Sequence, residues 1–429
     1  MLAYEQVGSG IQLPNRVNIR QTFDRPIIED VAACVRSELT SAKIAKTIQP
    51  GMQVAITAGS RGISNIRLIL REVVSFCRER GAQPFLVPAM GSHGGAAAEG
   101  QRAILTSYGV TEEFCGCPIR AAMDTVQIGV TKTGRPIYMD HYAAQADAII
   151  AVNRIKAHTA FSGRYESGIL KILTIGLGKQ KGAELCHDIG FEFMHQLIPE
   201  FGEAILKNAP VIFGLGLIEN AFDEICHVEA MLPDEILKRE PELLEHAKSL
   251  MGRILLQDAD VLIVDEIGKN ISGEGADPHV TGLFPTPYVS GGGLKAQRSV
   301  ALRLTPEAHG CAYGMGQFDI ISRKFYEQID HASGYANAMT SKLLCQCRVP
   351  MVFPSDRQAV CAAVKTCCNI DYSAPKIIRI RNTARLQHIQ VSEALLEQVR
   401  TNPRLEEIGQ PQPFAFDSEG NLPLLESED

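Results

Sequence analysis

The sequence predicts an α/β protein of two domains, each with a mainly parallel sheet flanked by helices, and three observations carry that prediction. Residues 54–107 twice repeat the order apolar run, glycine-rich loop, helical pattern, which is the signature of βαβ units. The same alternation restarts after residue 255. A chain of 429 residues is also long for one hydrophobic core. The expected domains are residues 1–255 and 256–429, the second ending in a frayed acidic tail over its last dozen residues.

The elements follow in order. A helix is expected around Asp30–Arg36. Val54–Ala58 is a β-branched run that ends at Gly59-Ser60-Arg61-Gly62. Ile66, Leu68, Ile69, Val73, Val74 and Cys77 then recur at helical spacing up to Gly81. Pro84–Pro88 reads as the next strand, Met90–Gly95 as a loop and Ala96–Ser107 as a helix. Asp147–Asn153 and Pro210–Leu217 read as further strands, and Pro233–Leu255 as a charged helix. In the second half Val261–Ile267, Ser299–Leu304 and Lys376–Arg381 read as strands, and residues 334–346 and 357–367 as helices.

Composition excludes several function classes. The net charge of -7, with no long basic run, argues against nucleic-acid binding. No apolar stretch is long enough to span a membrane, and residues 1–10 lack the basic and apolar regions of a signal peptide. The twelve cysteines include no C-x-x-C pair, so reduced thiols in a cytoplasm are expected and zinc or iron–sulfur sites are not.

Chemistry concentrates in three places. The two glycine-rich loops, at 59–62 and 91–95, each lie between a strand and a helix, where backbone N–H groups attract anions and ligands gather. Neither is a P-loop or a dinucleotide fingerprint. His93, flanked by Ser92, Gly94 and Gly95, is placed for chemistry rather than packing. Residues 154–188 hold His158, His187, Lys156, Lys171, Lys179 and Lys181 among glycines, with Lys171 inside the apolar run Ile169–Leu173. Burial there favours the neutral, reactive amine, whereas the bland alternative is a lysine that reaches water along its stem. The polar loop Gly268–His279 follows a strand and suits substrate contact. The remaining histidines have no comparable setting.

Together, Ala58-Gly-Ser-Arg61, Gly91-Ser-His93, His158 with Phe161-Ser162-Gly163, and Lys171 with His187 sixteen positions later resemble the nickel-dependent lactate racemase family, whose members bind a nickel-pincer nucleotide. The resemblance is most specific between residues 54 and 190. It implies two α/β domains with cofactor and substrate in the cleft between them. It implies Lys171 as the cofactor-attaching lysine, His187 as the nickel ligand, and His93 and His158 as the two acid/base groups. Arg61, Ser92, Gly94, Ser162 and Gly163 would contact the cofactor, and Arg61, Lys269 and Asn270 the substrate. The enzymes that make the cofactor would be its partners; no oligomeric state is implied.

Two features depart from the family. Ala58 stands where its first loop carries an aspartate, and the segment from His158 to Lys171 is longer, through Arg164–Leu170. The second leaves Lys179 and Lys156 open as attachment points. The activity implied is isomerase chemistry: inversion at C2 of a 2-hydroxy acid by hydride transfer. A polar substrate, an aldonate such as gluconate, is expected over lactate. Two alternatives stand beside it. One is a metal-dependent hydrolase or lyase with His93, His158 and His187 as ligands. The other is a protein that holds the nucleotide without turnover.

Overall fold

The computed structural model describes residues 6, 8, 10–60 and 62–426. It divides into two compact units, Arg25–Met251 and a second formed by Gly252 onward together with the N-terminal segment through Asp24. Both are α/β with mainly parallel sheets. Strand β1 (Arg16–Gln21) opens the chain and pairs in the sheet of the second unit.

Within Arg25–Met251 the chain forms β2 (Gln53–Ala58), β3 (Gln83–Pro88), the hairpin β4 (Thr125–Val130) and β5 (Pro136–Asp140), then β6 (Ala148–Arg154), β7 (Val211–Glu219) and β8 (Ile225–Met231). The main sheet runs β3-β2-β6-β7-β8, parallel except for β7 against β8. Its central strands are apolar at successive positions because both faces are covered. Val54, Ile56, Ile150 and Val152 face a core completed by the helix Ile66–Glu79. Ala55, Ile149 and Ala151 face another completed by the helices Met194–Asn208 and Pro233–Leu250.

The second unit contains β9 (Asp258–Val264), β10 (Lys295–Ala301), β11 (Ile320–Ser322), β12 (Met351–Phe353), β13 (Ile377–Asn382), β14 (Arg385–Ser392) and β15 (Leu405–Gln412). The order is β12-β11-β10-β9-β13-β14-β1-β15, parallel as far as β13 and antiparallel beyond it. The expected division at 255/256 therefore differs from these units mainly at the N-terminus. The alternating residues Val17 and Ile19 of β1 are fully buried in the second unit's core. Gln21, also fully buried, donates to Leu386 O (2.7 Å) and Arg253 O (3.3 Å) and accepts from Leu255 N (2.8 Å).

The C-terminal tail corrects an expectation. Its described part is held rather than frayed: Leu422 N donates to Asp356 (2.9 Å) and Leu425 N to Asp265 (2.7 Å), and both leucines are buried. Asp265 is itself paired in two-pronged fashion with buried Arg379, at 2.7 and 2.8 Å. The backbone donors of the tail add hydrogen bonds to two buried carboxylates, one paired with Arg379 and the other with Lys324. All twelve cysteines are free thiols. Among the described residues no helix is long and apolar enough to cross a membrane.

Candidate active site

Strands β3, β2 and β6 are parallel neighbours, so the segments that follow them leave the same edge of the sheet. These are the loop from Gly59, the loop Ala89–Ala97, and the long segment Ile155–Gly168. Two of them meet through side chains: His93 Nδ1 is hydrogen-bonded to Ser60 Oγ. Ser60 is fixed in turn by Tyr108, whose hydroxyl donates to its carbonyl at 3.0 Å. His93 itself is exposed, as a group that must reach a ligand should be. The His93 loop owes its path to left-handed backbone at Gly91, Gly94 and Gly95. At Gly94 (φ +70) a Cβ would also stand 2.6 Å from Gln101 N, so only glycine fits.

His158 is held by a buried carboxylate. The backbones of Lys156 and Ser167 pair in both directions (3.0 and 3.2 Å) and pinch off the intervening loop. Inside it Glu166, with no exposed side-chain surface, accepts from His158 N (2.7 Å) and Gly163 N (3.2 Å) and pairs with Lys248 at 3.0 Å. The extra length between His158 and Lys171 is thus the residue set that shapes the His158 loop. Ala160 N donates to His158 Nδ1 at 3.1 Å, which places the proton of the neutral ring on Nε2. The ring packs on Phe161, centroid to centroid 4.3 Å.

Lys171 ends a three-residue helical turn, Ile169–Lys171, that continues as a π-turn through Ile172–Gly176. Its neighbours Ile169, Leu170, Ile172 and Leu173 are buried, while Lys171 is half-buried. Two contacts aim this turn. Asn153, near the end of β6, donates to Gly168 O (2.7 Å). Glu240 of the helix Pro233–Leu250 accepts from Leu170 N (3.1 Å). Burial pushes the Glu240 carboxyl up to about 8, so it is neutral at and below neutrality. His187 lies in the last turn of the helix Lys179–Ile189, half-buried, with its ring stacked on Phe191 at 5.5 Å. The turn and the His93 loop are tied by Gly91 N donating to Gly176 O at 3.1 Å.

The sequence-expected residues thus distribute as follows. His93, His158, Lys171 and His187 lie on mutually bonded segments of one unit. Ser92, Ser162 and Gly163 are half-buried on the same loops, with Gly163 engaged by Glu166. Arg61 lies outside the described residues. Lys269 and Asn270 belong to the other unit. There Lys269 donates to Gly273 O (2.8 Å) and lies over the Tyr313 ring (3.9 Å), while Asn270 accepts from Thr305 Oγ1 (2.7 Å). Sequence reasoning missed Ser60, Glu166, Gln101 and Glu240. The first stood inside a loop already singled out; the other three are ordinary polar residues until the fold buries them.

A nickel-pincer nucleotide would bring three donors to its metal and would need one imidazole, and half-buried His187 is a residue that could offer it. Lys171 is not enclosed by the core, whereas Lys179 is fully buried with its ammonium against Pro88 O, Gln101 Oε1 and Asp140 Oδ2. Among the described residues no group of three or more His, Cys, Asp or Glu side chains is arranged to hold a metal ion. The three-histidine ligand set therefore has no geometric support.

Comparison with known proteins places these observations. Residues 8–192, which include all four candidate residues, match the family model of the lactate racemase N-terminal domain. The lactate racemase apoprotein from Thermoanaerobacterium thermosaccharolyticum is similar in structure, with TM-score 0.49 and 14% identity over 86% of this chain and 98% of that one. A Thermotoga maritima protein of known crystal structure is similar with TM-score 0.48 and 14% identity, over 76% of this chain and 84% of that one. No curated protein matches the chain. Residues 8–192 are thus a divergent lactate-racemase-type N-terminal domain.

Proposed function

We propose that the protein is a racemase or epimerase that inverts C2 of a 2-hydroxy acid, and that it works with a nickel-pincer nucleotide attached at Lys171 and ligated through His187. The observation that carries this reading is the pair of histidines. His93 and His158 stand on separate loops leaving the same sheet edge, each ring fixed by a defined hydrogen bond. Inversion needs a proton-handling group for the hydroxyl in each of its two orientations, and a simple dehydrogenase needs one.

The hydrogen on C2 lies beside a carboxylate, so removing it as a proton is costly and removing it as hydride is not opposed by that charge. When bound, the cofactor supplies the hydride acceptor that no side chain offers. The chain's own residues handle the proton and the orientation. With Nδ1 accepting from Ala160 N, the neutral His158 ring has Nε2–H to offer to a substrate oxygen. To accept a proton at Nε2 the neutral ring must carry its own proton on Nδ1, which means giving up the contact from Ala160 N. His93, held at Nδ1 by Ser60, works through Nε2. Glu166 and Lys248 keep the His158 loop from shifting between the two half-reactions. The full burial of Lys179 favours Lys171 over it as the attachment point, since an adduct at Lys179 would need room that the core does not leave.

For substrate we favour a polar hydroxy acid, an aldonate such as gluconate, over lactate. The test uses substrate deuterated at C2, with protein co-expressed with the cofactor-making enzymes. The inverted product should keep the label, and reaction in deuterated water should introduce none. Wash-out of the label would establish a carbanion route and refute the proposal. His93→Ala and His158→Ala should each slow interconversion on the order of a hundredfold. Lactate as the best of a panel with malate, 2-hydroxyglutarate and gluconate would overturn the substrate assignment.

A further inference from the structure

Lys179 is a lysine where physics disfavours one. It has no exposed surface, and its backbone is left-handed (φ +54), a conformation that costs a non-glycine residue about 1 kcal/mol or more. Glycine would relieve the strain, and an apolar residue would relieve the buried charge. The side chain must therefore supply something that neither can.

Its ammonium faces three oxygens: Pro88 O at 2.5 Å, Gln101 Oε1 at 3.0 Å and Asp140 Oδ2 at 3.2 Å. Burial lowers the lysine and raises the aspartate, and their pairing opposes both shifts. The ammonium donates to Pro88 O and Gln101 Oε1 and is ion-paired with Asp140 Oδ2. Asp140 is anchored independently, since its other oxygen accepts from Ala143 N (2.9 Å) and its own N donates to Leu177 O (2.7 Å). The consequence falls on Gln101, which is fully buried too. With its oxygen committed to Lys179, its amide nitrogen must point the other way. It donates to Gly91 O (2.9 Å) and to His93 O (3.2 Å). The chain Asp140, Lys179, Gln101 therefore ends on the backbone carbonyls of the loop that presents His93.

The geometry points to Lys179 as a positioning residue for His93: it fixes the Gln101 amide and through it the Gly91–His93 loop. This rests on the reading of His93 as an acid/base group. The test needs neither cofactor nor turnover, so its outcome is separate from that reading. Two variants are compared with wild type as full-length protein. Gln101→Leu removes the link to the loop. Lys179→Met together with Asp140→Leu removes the ion pair as a unit, leaving no lone buried charge, so that the core stays apolar and filled.

Amide hydrogen exchange is read at Gly91, His93 and Ala96, whose N–H groups donate to Gly176 O, Met90 O and Ser92 O. The 13Cε1–1H NMR signal of His93 is read alongside. Exchange at these three amides should accelerate at least tenfold in both variants and the His93 signal should move, while the β2 and β6 amides exchange as in wild type. Three results would overturn the proposal. One is loop exchange within twofold of wild type or an unmoved His93 signal. Another is acceleration shared by β2 and β6, which would mean general destabilisation. The last is failure of either variant to fold, which would make the network a core requirement and nothing more.

Discussion

Glu240→Gln isolates the cost of one buried ionisation. Glu240 is fully buried under the turn that carries Lys171; one of its oxygens accepts from Leu170 N, and the other has no hydrogen-bond partner among the described residues. Its carboxyl titrates at about 8 in the fold, against about 4.3 in the unfolded chain. The folded protein therefore keeps a proton that the unfolded chain releases anywhere between those values. Stability is whole below about pH 4, falls as pH rises, and levels off above about pH 8. At 1.36 kcal/mol per unit, the penalty is on the order of 3–4 kcal/mol at pH 7 and about 5 kcal/mol above pH 8. Glutamine keeps the size and the acceptor for Leu170 N and cannot ionise. Urea denaturation followed by circular dichroism at about pH 5, 7 and 9 should show variant and wild type within about 1 kcal/mol of each other at the lowest pH. The variant should be progressively more stable above it. Taking the difference cancels every other titrating group. A difference independent of pH, or a variant that loses ground as pH rises, would refute the argument.

Other outcomes follow from the same region. His187→Ala should abolish nickel retention after co-expression with the cofactor-making enzymes, with an unchanged circular dichroism spectrum; stoichiometric nickel in the variant would remove His187 from the ligand role. Denatured wild-type protein should carry added mass that peptide analysis maps to Lys171 and that Lys171→Ala lacks; mass at Lys179 would contradict the burial argument. Gly168→Ala would place a Cβ 2.2 Å from Glu240 Oε1 and should cost about 1–3 kcal/mol in thermal unfolding. Most of that loss should vanish when Glu240→Ala is the background, because the clash is with that side chain.

The parallel core was legible because its signals are local. Gln53–Ala58, Ile66–Glu79 and Gln83–Pro88 each declare themselves by β-branched runs or helical periodicity within one element. The elements that escaped notice depend on distant partners. Strand β1 is strand because β14 and β15 accept it, and it lies far from both in sequence. The tail at Leu422 and Leu425 is mixed and acidic, and only the buried Asp356 and Asp265 give it a fixed place. At the site, His93 and His158 stood out by residue type and setting. Glu166, Gln101 and the buried state of Lys179 did not, because what they do is set by burial and by bonds across the unit. The lysine run at 171–181 shows the limit well. The sequence singled out Lys171 for its apolar neighbours, yet Lys179, among polar ones, is the lysine the core encloses.

The buried amide of Gln21 has a consequence for how the protein is made. It stands at the end of β1, where the chain leaves the second unit, and bonds the stretch by which the chain returns, at Arg253 and Leu255. Everything between is an insertion, and the discontinuous unit cannot finish until its last strands, β14 and β15, leave the ribosome to receive β1, the first to emerge. Closing a flexible loop of some 230 residues costs on the order of 5 kcal/mol in chain entropy. If the insertion folds first, as contiguous and earlier-made segments do, that floppy loop becomes a compact body before β1 finds its partners. The late step then joins two nearby chain ends instead of the tips of a long coil.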